Sequence, residues 1–182
     1  MTLIGFKGKN HPQQTAKHGA TRDVDDRATT AEVFEPLDLR FGGFTVDVAA
    51  AAHNAKCDRF FDVAADGLGQ PWAGERVWCN PPYSAIGPWV RKAWAEHGSA
   101  GCIVMLLPAN RTEQGWWRDL VEPFRGRAGS PLRTEFIAGR LRFMAPGQTS
   151  VGANERPPFG CVLLIWQRVG PVVGTLELGA KL

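Results

Sequence analysis

The residues that decide the fold read Val-Trp-Cys-Asn-Pro-Pro-Tyr at positions 77–83, and apolar residues at helical spacing follow from Ile86 to His97. The short apolar run predicts a buried strand, which the Asn-Pro and Pro-Pro pairs end. Open parallel sheets collect their active-site residues beyond the carboxyl ends of their strands. The stretch therefore predicts an α/β fold with chemistry at residues 80–83, and an ordinary strand-to-helix loop is the simpler alternative.

Further strands and helices alternate on both sides of this stretch. Apolar periodicity predicts helices over 30–40, 86–97 and 113–121, and strands over 44–46, 59–61, 77–79, 103–107, 135–137, 141–143 and 161–166. Such alternation predicts a mostly parallel sheet that helices cover on both faces. A Pro- and Gly-rich stretch, 145–160, takes the place of a last helix, so we expect an antiparallel C-terminal hairpin.

The length of the chain fits one domain. Its 182 residues lie close to the usual size of a single domain, roughly 100–150 residues. Residues 7–28 carry few apolar side chains, which is typical of a flexible segment. We expect a flexible N-terminal arm over residues 1–28 and a single folded domain over residues 29–182.

The composition excludes several classes of protein. Apolar residues make up 44% and charged residues 21% of the chain, which is unlike a disordered, collagenous or coiled-coil protein. The four cysteines lie far apart and give no zinc-site spacing, so we expect no metal. No segment has the pattern of a signal peptide or of a membrane span. We expect a soluble, cytoplasmic protein without a membrane partner.

The Asn-Pro-Pro-Tyr stretch suits chemistry on a planar amine. The exocyclic amine of a nucleobase is a poor nucleophile, because its lone pair is delocalised into the ring. The side-chain oxygen of Asn80 and the carbonyl of Pro81 can accept both N–H groups, while Pro81 and Pro82 keep the loop rigid. The ring of Tyr83 offers a stacking face, worth ~1–3 kcal/mol in other base–aromatic contacts. These four residues are the predicted catalytic residues.

A wider pattern of residues resembles one family. The blocks at 44–50 (Phe-Thr-Val-Asp-Val-Ala-Ala), 66–68 (Asp-Gly-Leu), 77–83 and 136–143 (Phe-Ile-Ala-Gly-Arg-Leu-Arg-Phe), in this order, resemble the phage-type DNA N6-adenine methyltransferases called Dam. The resemblance implies a Rossmann-like methyltransferase fold, S-adenosylmethionine as cofactor and double-stranded DNA as partner. It also implies that the target adenine is flipped out of the duplex and methylated at N6.

The same resemblance assigns residues to the cofactor. It implies that Asp47 and Ala49 shape the pocket for the methionine end, and that Asp66 and Leu68 meet the adenine. Thr29 and Phe34 would close over the cofactor, and Asn80 would border it. The predicted cofactor residues are therefore Thr29, Phe34, Asp47, Ala49, Asp66, Leu68 and Asn80.

Arginine supplies all the basic charge of residues 108–160. Residues 108–160 contain eight Arg and no Lys, and the guanidinium fork binds phosphate bidentately. We expect Arg111, Arg140 and Arg142 to contact DNA, with Arg140 and Arg142 on one face of a strand. The pair Trp116 and Trp117 fits either core packing or base stacking, and core packing is favoured.

The sequence leaves two alternatives open. The acceptors of the Asn-Pro-Pro-Tyr stretch suit any planar amine, so the substrate could instead be cytosine N4, an RNA adenine or a protein glutamine. The run Val48–Ala52 contains no glycine, although many methyltransferases have a glycine-rich cofactor loop after this strand. The chain could therefore be a catalytically inactive nucleic-acid-binding module with a methyltransferase-like fold.

Overall fold

The computed structural model describes residues 25, 27–146, 148, 150, 157 and 159–167. Its elements, in chain order, are β1 (Ala28–Thr29), α1 (Ala31–Arg40), β2 (Val46–Asp47), β3 (Arg76–Cys79), α2 (Ile86–Glu96), β4 (Cys102–Pro108), α3 (Gly115–Leu120), β5 (Leu132–Phe136), β6 (Phe143–Met144) and β7 (Cys161–Gln167). The three predicted helices are confirmed, each within a few residues of its expected bounds. Residues 1–24, and with them most of the predicted arm, lie outside the described residues.

The main sheet has five strands in the order β2-β3-β4-β7-β5. The pairs β2–β3 and β3–β4 are parallel, whereas β7 runs antiparallel to both β4 and β5. The predicted α/β class is confirmed. The expectation of a mostly parallel sheet is not confirmed, because two of the four strand pairs are antiparallel. All residues of β7 except Gln167 are buried, so this strand needs a neighbour on each side and inserts between β4 and β5.

The end of the sheet also differs from the predicted hairpin. β5 and β7 do pair antiparallel, but β6 lies between them in the chain and leaves this sheet. It pairs instead with β1, through Ala28 with Met144 and Thr29 with Phe143. The predicted boundary between arm and domain therefore falls inside β1, and Ala28 is already part of the folded structure.

The strands predicted over 44–46, 59–61 and 141–143 are shorter than expected, since β2 and β6 have two residues each. The segment 59–61 contributes only a parallel bridge between Phe60 and Asp47. The prediction that Arg140 and Arg142 share one strand face was wrong, because neither residue is in a strand. Gly139 has a φ of +76°, which breaks the extended run between β5 and β6.

Alternate residues of the central strands pack into two separate cores. In β4, Ile103, Met105 and Leu107 face the core that α2 and α3 cover. Val104 and Leu106 lie on the other face of the sheet and belong to the core that α1 covers. Helices therefore cover both faces of the sheet, as the alternation of elements predicts.

The tryptophans strengthen the first of these cores. Trp116 and Trp117 are only 9% and 2% exposed, so the prediction of core packing is confirmed. Trp72 is fully buried beside them, and its ring nitrogen donates to the carbonyl of Gly67 at 3.0 Å. Within the described parts of the chain, no helix combines the length and the apolar character that crossing a membrane requires.

The loop that carries Asp66 and Leu68 is fixed against the end of β2. A side chain at Gly67 would overlap the carbonyl oxygen of Val48, the residue that follows β2. The loop backbone can approach so closely only because residue 67 has no Cβ. This contact and the Trp72 hydrogen bond place residues 66–68 beside Val48.

We expect Gly67→Ala to lower the free energy of unfolding by about 1–3 kcal/mol, because the new methyl group collides with the Val48 carbonyl. Gly98→Ala is the matched control, since no described atom lies within 4 Å of a Cβ placed there. Urea denaturation of both variants and the wild type measures the difference. Equal stability of the two variants would contradict the close approach.

Candidate active site

A small cleft opens where β2 and β3 end. Parallel pairing sets Val46 opposite Val77 and Asp47 opposite Trp78, so the segments that leave both strands emerge side by side. The cleft brings together four predicted site residues, Thr29, Asp47, Ala49 and Asn80, with residues that were not predicted. The lining consists of Asp25, Arg27, Ala28, Thr29, Asp47, Ala49, Asn54, Lys56, Trp78 and Asn80.

Asp47 is a buried carboxylate that the backbone holds in place. It is 3% exposed. Its Oδ1 accepts from the amide of Ala49 at 3.3 Å, and its Oδ2 accepts from the amide of Lys56 at 3.1 Å. Burial raises the pKa of Asp47 to about 6, and the two amide hydrogen bonds act in the opposite direction. The carboxyl group therefore changes charge near neutral pH.

The lining of the cleft carries both signs of charge. Asp25 and Asp47 supply carboxylates, while Arg27 and Lys56 supply cations. Burial lowers the pKa of Lys56, and the charge of Asp47 raises it. A site with paired acids and bases suits a ligand that itself carries both charges, such as an amino-acid group.

The Asn80 side chain has one satisfied end and one unsatisfied end. Its Nδ2 donates to the hydroxyl of Thr29 at 3.3 Å and to the carbonyl of Arg27 at 3.5 Å. A carbonyl can only accept, so the NH₂ group must face this side. Its Oδ1 is buried, and no described residue donates to it. A buried acceptor without a donor is rare in proteins and calls for a functional explanation.

Tyr83 is held by two aromatic side chains. Its ring meets Phe143 edge-on with centroids 6.4 Å apart, and Phe159 in a tilted edge contact at 6.0 Å. Burial raises the pKa of the Tyr83 phenol well above its usual value, so the group stays neutral. Pro81 is buried and Pro82 is half-buried. All four residues of the predicted catalytic loop are therefore buried or half-buried.

The chain before β1 also holds this loop. The amide and hydroxyl of Ser84 donate to the two carboxylate oxygens of Asp25, at 3.2 and 2.5 Å. Asn80 contacts Arg27 and Thr29 at the other end of the loop. Asp25 and residues 27–29, called the strap, thus contact both ends of the Asn-Pro-Pro-Tyr stretch.

Three predicted cofactor residues lie outside the lining of this cleft. Phe34 packs edge-on against Trp78, with centroids 5.3 Å apart, so one side chain separates it from the cleft. Asp66 is exposed and has a φ of +51°, and Leu68 is half-buried. Their roles stay predictions.

The three predicted DNA contacts do not line the cleft either. Arg111 follows the carboxyl end of β4, and its Nε is buried without an acceptor among the described residues. Arg140 is exposed and Arg142 is half-buried, both in the segment between β5 and β6. Their contact with DNA stays a prediction.

Sequence reasoning missed six of the ten residues that line the cleft. Asn54 and Lys56 belong to the stretch His53-Asn54-Ala55-Lys56-Cys57, which also resembles the Dam family but for which the sequence predicted no role. Asp25 and Arg27 had no signal at all, since a polar composition predicts a flexible arm. In the parts of the chain that the structure covers, no three His, Cys, Asp or Glu side chains cluster in a way that could hold a metal ion.

Comparison with known proteins gives three findings. A DNA N-6-adenine-methyltransferase of Escherichia phage T1 is 34% identical over 108 residues, which are 59% of this chain and 42% of the relative. One of Haemophilus phage HP1 is 32% identical over 102 residues, which are 54% of this chain and 57% of the relative. The chain thus spans about half the length of these relatives. A Pyrococcus horikoshii crystal structure, provisionally titled an RNA methyltransferase, has 14% sequence identity and a TM-score of 0.43, over 74% of this chain and 82% of that one.

The sequence profile of one family covers most of the chain. The profile described as DNA N-6-adenine-methyltransferase (Dam) matches residues 16–176, which include the strap, the cleft and every strand of the main sheet. This match confirms the resemblance that the sequence blocks indicate. The chain belongs to the DNA N-6-adenine-methyltransferase (Dam) family.

Proposed function

We propose that this protein transfers a methyl group from S-adenosylmethionine to N6 of adenine in double-stranded DNA. The observation that carries the proposal is the buried Asn80 Oδ1, which has no donor among the described residues and lies at the end of β3. Family membership and the phage relatives named for this activity support it. The proposal includes a Rossmann-like methyltransferase fold, for which the parallel β2-β3-β4 unit gives support.

The acceptor half of the site consists of two oxygens. Asn80 Oδ1 accepts one N–H of the adenine amine, and the Pro81 carbonyl accepts the other. The adjacent Pro82 carbonyl already accepts from the amide of Ala85 at 3.1 Å, so Pro81 supplies the backbone acceptor beside Asn80. Two acceptors draw the nitrogen toward a tetrahedral geometry and restore its lone pair.

The base must leave the duplex to reach these acceptors. Flipping costs a few kcal/mol in unstacking and unpairing, and stacking on an aromatic ring returns ~1–3 kcal/mol. Tyr83 provides that ring, and its contacts with Phe143 and Phe159 hold it in one orientation. The neutral phenol adds no charge beside the base.

The charges of the cleft fit the amino-acid end of S-adenosylmethionine. Asp47 would attract the cationic groups of this cofactor, while Arg27 and Lys56 would hold its carboxylate. Ala49 and Thr29 complete the methionine end, and we assign Phe34, Asp66 and Leu68 to the adenosine end by family resemblance. The bound cofactor supplies an electrophilic methyl group.

Arg111, Arg140 and Arg142, outside the cleft, contact the DNA backbone in this proposal. Arg111 extends from the carboxyl end of β4, next to the end of β3, and its buried Nε has no acceptor among the residues described. Arg140 and Arg142 lie just before β6, which pairs with the strap. Phosphate contacts position a duplex without reading its sequence, so these residues set affinity rather than site choice.

We expect Asn80→Ala to lower the rate of methyl transfer by about 100-fold or more. Losses of this size follow when one hydrogen-bonding group that stabilises a transition state is removed from an active site. The measurement uses methyl-labelled S-adenosylmethionine and unmethylated duplex DNA, followed by digestion to nucleosides. Asn110→Ala is the matched control, because it removes the same amide from an exposed position. Full activity of Asn80→Ala would overturn the mechanism. Label in N4-methylcytosine, or in RNA or protein only, would change the substrate.

We expect the affinity for S-adenosylmethionine to fall as the pH drops below about 6. Asp47 is ionised above its pKa of about 6 and loses its charge below it, so the attraction for a cationic ligand disappears. Calorimetric titration between pH 5 and 7.5 should show the wild-type Kd rising by up to about tenfold per pH unit below this pKa. Asp47→Asn should bind weakly at every pH. A wild-type Kd that does not change with pH would contradict the role of Asp47.

We expect Arg140→Ala to weaken binding to duplexes of any sequence and to reduce the slope of log K against log salt by about 1. Arg125→Ala is the control, since Glu122 already pairs with that guanidinium at 2.7 Å. Fluorescence anisotropy with a labelled duplex at several salt concentrations measures both quantities. Equal slopes for the two variants would remove Arg140 from the DNA-binding surface.

A further inference from the structure

We propose that Thr29 is a positioning residue for methyl transfer, whose hydroxyl holds the Asn80 amide with Oδ1 directed at the substrate amine. This inference rests on the proposed function, in which Oδ1 accepts an N–H of adenine. It differs from the role that family resemblance implies for Thr29, which is closure over the cofactor.

The first support is the geometry at the Asn80 amide. Thr29 Oγ1 lies 3.3 Å from Nδ2, and Thr29 is only 2% exposed. The Arg27 carbonyl lies 3.5 Å from the same nitrogen. A rotated amide would set Oδ1 against that carbonyl oxygen, which has no proton to offer. The Arg27 carbonyl therefore decides that Nδ2 lies on this side and Oδ1 on the other, and the Thr29 hydroxyl holds the amide in this orientation by accepting the shorter of the two hydrogen bonds.

The second support is the way Thr29 is itself fixed. In the pairing of β1 with β6, Thr29 lies directly opposite Phe143. Phe143 is also the side chain that meets the Tyr83 ring edge-on. One cross-strand pair thus supports both chemical groups of the loop, Thr29 through the Asn80 amide and Phe143 through the Tyr83 ring.

The two possible roles of Thr29 predict different kinetics. A residue that orients the acceptor acts when the amine changes geometry, so its loss lowers kcat and leaves the KM for S-adenosylmethionine unchanged. A residue that closes over the cofactor raises that KM. The orienting role requires the Thr29 hydroxyl, so kcat should depend on that hydroxyl and not on the shape of the side chain.

The experiment compares three substitutions on the full chain. Thr29→Val keeps the shape and removes the hydroxyl, and Thr29→Ser keeps the hydroxyl and removes the methyl group. Thr30→Val is the matched control, because the neighbouring Thr30 makes no side-chain capping hydrogen bond to α1. Steady-state kinetics with methyl-labelled S-adenosylmethionine and duplex DNA give kcat and KM, and thermal melting checks that each variant is folded.

We expect Thr29→Val to lower kcat about tenfold, which is the loss of one neutral hydrogen bond, with unchanged KM for S-adenosylmethionine. Thr29→Ser and Thr30→Val should keep kcat near the wild-type value. Unchanged kcat with a raised KM would return Thr29 to the cofactor and overturn the inference. Equal losses in Thr29→Val and Thr29→Ser, or an unfolded Thr29→Ser, would show a structural role and overturn it too. An inactive wild-type protein would overturn the proposed function itself, and the inference with it.

Discussion

Parallel hydrogen bonding between β2 and β3 sets the position of the chemical groups in the cleft. The amide of Val48 donates to the carbonyl of Trp78 at 3.1 Å, so the ladder continues to the last residues of both strands. Asp47 and Asn80 then leave the sheet side by side, although they are distant in the chain. On its other side, Asp47 exchanges backbone hydrogen bonds with Arg59 and Phe61, at 3.0 and 2.8 Å. Backbone hydrogen bonds to β3 on one side and to residues 59–61 on the other thus fix the position of Asp47.

The rest of the fold makes this pairing rigid. Strands β3, β4 and β7 are almost wholly buried, and helices pack on both of their faces. Close packing of this kind leaves little freedom for the ends of the strands. Polar groups therefore occur at the edge where the strands end, and it is there that Asp47, Asn80 and Lys56 meet. The burial that raises the pKa of Asp47 is a consequence of the same packing.

The strap also fixes the position of the Asn-Pro-Pro-Tyr stretch. Asp25 contacts Ser84, while Arg27 and Thr29 contact Asn80, so a segment before the main sheet holds both ends of the Asn-Pro-Pro-Tyr stretch. Through β6 the strap also reaches Phe143 and the Tyr83 ring. The Asn80 amide and the Tyr83 ring are thus linked through one small two-stranded sheet, whose β1 residues Ala28 and Thr29 also line the cleft.

The sequence by itself determined the α/β class, the three helices, most of the strands and the place of the Asn-Pro-Pro-Tyr stretch. These features are local, since apolar periodicity and proline breakers act on neighbouring residues. The tertiary structure decided the insertion of β7 between β4 and β5, because strand order depends on which faces and edges must be buried. It also brought Asp25 and Arg27 to the cleft, because contacts between distant segments leave no periodic signal. The tertiary structure also decided the orientation of the Asn80 amide, because that orientation depends on the groups that the fold places beside Nδ2.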